Sequence, residues 1–107
     1  METPHSYSQQ LTVNGHAIKT ILVGRHYLKM HPYMNDTLIL DLVMALDGAN
    51  LPVDSITAKI EYFAADVRHE ASRKIYCLIW LFEGDKLEII GVIHAYRRRK
   101  SKKGPQS

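Results

Sequence analysis

Cysteine is almost missing from this chain: its 107 residues hold one, Cys77. A single thiol excludes a disulfide framework and fits a reducing compartment, so the expected location is cytoplasmic. Long apolar runs are missing too. None approaches the roughly 18 residues that a membrane-spanning helix needs, so no membrane partner is expected. The opening METPHSYSQQ is polar and lacks the apolar core of a secretory signal. There is no Gly-rich phosphate loop, no Gly-x-Ser-x-Gly, no Cys pair and no His-Glu-x-x-His. Nucleotide hydrolysis, esterase chemistry and zinc therefore have no support, and neither a metal nor a cofactor is expected.

What is there reads as one soluble globular domain. The apolar fraction is 46% and the charged fraction 23%, both ordinary for such a chain. The net charge of +3 is unevenly spread. Arg97, Arg98, Arg99, Lys100, Lys102 and Lys103 are 6 of the 14 basic residues; the other 8 face all 11 acids, so residues 1–96 carry −3. The basic character is local, as in an arm that binds polyanions. The expected organisation is a disordered stretch over 1–9, a single domain over 10–99 and a basic disordered tail over 100–107.

Two long apolar segments near the C-terminus organise the rest. Residues 74–83 are apolar on both faces, as in a central strand. A turn at Gly84-Asp85 leads into a second strand over 87–96, which runs into the cations. Near the N-terminus, Asn14-Gly15 between apolar segments is a strong hairpin signal. A short polar segment, residues 24–31, stops at Pro32 and permits one helical turn at most. Asn35-Asp36 caps a helix that closes at Asp47-Gly48. Only Asp41 interrupts its apolar body, so its surface is expected to pack in the core or to build a homodimer. Residues 56–68 read as one further strand. The expected fold is α+β: an antiparallel sheet of three to five strands with one long and one short helix on it.

The candidate site lies at the end of the last strand. Alternation puts Glu88, Ile90, Val92, His94 and Tyr96 on one face, which turns polar at His94 and Tyr96. A histidine serves as acid or base near neutral pH, and a tyrosine donates a hydrogen bond or stacks on a base. Arg25, His26 and Lys29 would share one side of a helical turn and gather cations as a phosphate site requires.

His26-Tyr-Leu-Lys-Met-His-Pro, the capped apolar helix, the Glu61-Tyr-Phe strand, the segment from Tyr76 to Glu83, and Gly91-Val-Ile-His-Ala-Tyr-Arg-Arg-Arg together resemble the RelE/ParE superfamily of small toxins. BrnT-like members are the nearer likeness, over about residues 20–100. The resemblance implies a RelE-like fold and a metal-independent ribonuclease that cleaves mRNA, silenced by a cognate antitoxin protein. It also implies that His26, His94, Tyr96 and Arg97 are catalytic, with Arg25, Lys29, Arg68, Arg98, Arg99 and Lys100 binding RNA. A non-catalytic nucleic-acid-binding or interaction module, using the tail and the apolar helix over 36–47, is the alternative.

Overall fold

The computed structural model describes residues 4–24 and 34–98. The elements are β1 (His5–Val13), β2 (His16–Val23), α1 (Asp36–Met44), β3 (Ser55–Thr57), β4 (Ile60–His69), β5 (Lys74–Glu83) and β6 (Ile89–Arg97). All six strands join one sheet in the order β1-β2-β6-β5-β4-β3. The expected antiparallel sheet with a long and a short helix is therefore wrong. The sheet is mixed, because β2 pairs with β6 in parallel, Ile21 beside Ile90 and Val23 beside Val92. Among the described residues the only helix is the nine-residue α1.

The corrections have local causes. β1 begins at His5, inside the stretch expected to be disordered, because His5 and Ser6 pair with Val23 and Leu22. The strand expected over 56–68 breaks at Ala58 and Lys59, both at positive φ, 51° and 67°. Those angles make a two-residue primed turn that separates β3 from β4. Of the polar segment over 24–31, expected to hold one helical turn at most, residues 25–31 lie outside the described residues.

Helix α1 starts as its sequence dictates. Asn35 is extended and its side chain accepts a hydrogen bond from the Leu38 amide at 2.8 Å. Ile39, Leu42 and Val43 are buried, and Leu38, Leu40 and Met44 pack around them. They meet Ile21, Val23, Phe63, Val67, Tyr76, Leu78, Trp80, Ile90 and Val92 on one face of the sheet. Trp80 is the largest fully buried side chain and stacks on Phe63 with centroids 5.9 Å apart. Packing outranks polarity here, since the Trp80 Nε1 is buried without a hydrogen-bond partner among the described residues.

Candidate functional site on the open face of the sheet

Among the described residues no helix lies on the other face of the sheet. Which side chains reach it is decided by one irregularity in β6. Val92 pairs with Trp80 and His94 with Ile79, so Ile93 is an extra residue in the ladder. Such a β-bulge reverses the alternation beyond it. Ile90 and Val92 point under α1, whereas His94 and Tyr96 share the open face with Ile79 and Cys77. The expectation that all four lie on one face is corrected. Without the bulge, the polar pair would face the core.

Three rows follow from the register. Ala64, Ile79 and His94 form the first; Asp66, Cys77 and Tyr96 the second. The Arg98 amide donates to the Ile75 carbonyl at 2.8 Å, so Arg68, Ile75 and Arg98 form the third. Neighbours within a row are about 5 Å apart at Cβ. The His94 and Tyr96 rings lie 5.4 Å apart, both half-buried. Cys77, between Asp66 and Tyr96, is buried at 5% exposure.

The electrostatics of this patch are internally balanced. Asp66 Oδ1 accepts from Arg98 through Nε at 3.2 Å and Nη2 at 3.1 Å. That bond first, and the carboxylate charge second, raise the pKa of the guanidinium. Arg68 Nε sits 3.3 Å from Glu70 Oε2. Tyr96 is hydrogen-bonded to Cys77; this bond, then the charge on Cys77, then burial raise the phenol pKa, with Arg98 opposing. Tyr96 thus keeps its proton, which suits a donor better than a base.

Of the residues selected from sequence, the fold gathers His94, Tyr96, Arg98 and Arg68 on one face. Arg97 goes elsewhere: it pairs with Tyr76, whose side chain is in the core, so it belongs to the helix-bearing side. Arg25, His26, Lys29, Arg99 and Lys100 lie outside the described residues. Sequence reasoning missed Asp66 and the bond to Cys77. Only the spacing of Asp66 and Arg68, two apart on β4, hinted at a shared face.

Two other polar clusters lie apart from the open face. Asp36, at the start of α1, accepts from the Tyr7 hydroxyl and pairs with His5 Nδ1 at 2.8 Å. His69 bridges Asp41 at 3.1 Å and Ser72 Oγ at 2.9 Å, tying α1 to the β4–β5 turn. A depression of about 390 Å³ on the β1–β2 hairpin, lined by Gln10, Thr12, Lys19 and Asp47 among others, holds none of the selected residues. Among the described residues no group of three or more His, Cys, Asp or Glu is placed to hold a metal ion. No helix there is long and apolar enough to cross a membrane. No protein-family model matches this chain, and no curated protein or solved structure does either.

Proposed function

We propose that the open face of β4, β5 and β6 binds single-stranded RNA and cleaves it without a metal ion. The observation that carries this is the Ile93 bulge, which delivers His94, Tyr96 and Arg98 together to a sheet face that no described helix covers. Bulges of this kind re-aim side chains beside active sites. Sheet faces bearing aromatic and cationic side chains suit unpaired bases and their phosphates. The sequence resemblance to RelE/ParE toxins supports the same substrate, with a cognate antitoxin as the partner that silences it.

In this reading the RNA's 2′-hydroxyl attacks the adjacent phosphorus. His94 takes the hydroxyl proton as general base, and the bond from phosphorus to the 5′-oxygen breaks. Tyr96, which holds its proton, donates to the leaving oxygen, and Arg98 offsets the charge on the phosphorane. The products are a 2′,3′-cyclic phosphate and a 5′-hydroxyl. His94→Ala should slow cleavage in EDTA by about 10²–10⁴-fold, as loss of a general base does. Tyr96→Phe should slow it less. Absence of cleavage by pure wild-type protein, free of any antitoxin, would sink the catalytic reading.

A second reading, binding without chemistry, is favoured by the engaged state of the patch: Arg98 is held by Asp66 and Tyr96 by Cys77. It predicts RNA affinity in His94→Ala equal to wild type, with no product from either.

A further inference from the structure

We propose that Ser72 is an activated serine that takes an acyl group from an acyl phosphate, with His69 as its base and Asp41 holding the imidazole. His69 Nδ1 lies 2.9 Å from the Ser72 hydroxyl oxygen, and Nε2 lies 3.1 Å from Asp41 Oδ2. A hydroxyl within reach of an imidazole that a carboxylate orients is the arrangement that makes an alcohol nucleophilic. Asp41 accepts from Nε2–H, which leaves the Nδ1 lone pair for the hydroxyl proton. The His69 carbonyl, at 3.5 Å, is the more distant acceptor for that proton. No sequence motif announces the site, because Asp41 lies on α1 and meets the β4–β5 turn only in the fold.

The imidazole is held from three sides while the hydroxyl stays open to a reagent. The His69 side chain is 16% exposed, bounded by α1, by the turn and by the Tyr76 ring at 6.1 Å between centroids. Ser72 is exposed. The Arg73 amide donates to the His69 carbonyl at 2.8 Å and Arg73 sits at φ 60°, so the backbone of the turn sets the spacing of Ser72 from the ring. Arg73 and Lys74 make no ion pair among the described residues, whereas Arg68 is paired with Glu70. Those two cations select the donor, since an acyl phosphate carries an anion next to its electrophilic carbon. The Ser72 oxygen bonds to the acyl carbon as its proton passes to His69 Nδ1. The bond from that carbon to the phosphate oxygen breaks, and His69 returns the proton to the leaving oxygen. The products are an ester on Ser72 and hydrogen phosphate. Asp41 touches neither reactant, so it is a positioning residue.

The test treats the full chain with acetyl phosphate, quenches in acid and locates acetyl groups by peptide mass spectrometry. Hydroxylamine removes an ester on Ser72 and spares amides on lysine, so lysine acetylation in the same sample is the internal reference. His69→Gln should lower the initial rate of ester formation about 10²-fold, the scale of a lost general base, with lysine acetylation unchanged. Asp41→Asn should lower it about tenfold, and Asp41→Glu, which keeps the charge, should recover most of that loss. Ser72→Ala should erase the ester alone. Arg73→Ala should slow acetyl phosphate about threefold and leave uncharged p-nitrophenyl acetate unaffected. Equal melting temperatures of wild type, His69→Gln and Asp41→Asn separate lost chemistry from lost folding, and Asp41→Glu repeats the comparison if either variant unfolds. No ester on Ser72 in wild type, an equal rate in His69→Gln, or a phosphoryl group on Ser72 in place of the acetyl overturns the proposal. Equal slowing of both donors by Arg73→Ala overturns the choice of an acyl phosphate.

Discussion

Gly91 sits buried in the middle of β6, a position where glycine ordinarily weakens a strand. Its neighbour explains it. A Cβ built there would collide with Glu83 Oε2 and lie 3.1 Å from Glu83 Cδ. The obstacle is the end of a flexible side chain, so Gly91→Ala should force Glu83 aside at a cost under about 1 kcal/mol. In a Glu83→Ala background the same change should stabilise by about 0.5–1 kcal/mol, since alanine orders more cheaply than glycine. Urea unfolding of the four proteins measures the coupling, and equal effects in both backgrounds would refute the contact. Tyr96 gives a second prediction at this scale. Its folded pKa lies above the unfolded value of 10.0, because Cys77 favours the neutral phenol. That stability is fully present below the unfolded pKa and is lost as pH rises through the folded one. Cys77→Ala should move the Tyr96 titration back down, followed by phenolate absorbance against a Tyr96→Phe control. No movement would remove the thiol as the cause.

Two turns show how much of the element order was legible. Asn14-Gly15 announces its hairpin because both residues tolerate positive φ, here 54° and 78°. Asn14 also exchanges hydrogen bonds with Leu51 at 2.7 and 2.9 Å, which anchors the loop after α1. Ala58-Lys59 adopts the same kind of turn with residues that dislike it, so the sequence carried no signal there. Ala58→Asn with Lys59→Gly should relieve that strain and stabilise by about 1 kcal/mol in thermal unfolding. A destabilised double variant would show that the turn is held by something other than its own backbone preference. The bulge was illegible for a different reason. Residues 87–96 alternate well enough to read as regular, and only pairing with β5 exposes Ile93 as the extra residue. Ile93 is 45% exposed, so its side chain contributes little to the core. Deleting it should therefore be tolerated. With Ile93 gone, Val92 and His94 are consecutive, and regular alternation keeps His94 opposite Ile79 and Tyr96 opposite Cys77, so the deletion, like Ile93→Ala, should cost under about 2 kcal/mol in urea unfolding. A loss above about 4 kcal/mol from the deletion would mean that Ile93 is not a surplus residue in the ladder.

At the scale of the whole molecule, the sheet divides labour between its sides, and that division was only half readable. The apolar content of α1 and β5 announced a core, and the polar end of β6 announced a candidate site. The parallel contact of β2 with β6 was hidden, because it joins segments far apart in sequence whose side chains carry no mark of orientation. The consequence for binding is electrostatic. Residues 1–96 carry −3, while Arg99, Lys100, Lys102 and Lys103 follow the last described residue. If the face supplies base recognition and these cations supply attraction, the two contributions separate by salt. A chain ending at Arg98 removes four cations, so the slope of log affinity against log salt should fall by about 3 for single-stranded RNA. Its preference for RNA over polyphosphate should survive, because Tyr96 and His94, on which bases would stack, remain. Fluorescence anisotropy across a salt series measures both quantities at once. Were the preference to vanish with the tail while the slope stayed constant, recognition would belong to the tail and the open face would be a scaffold.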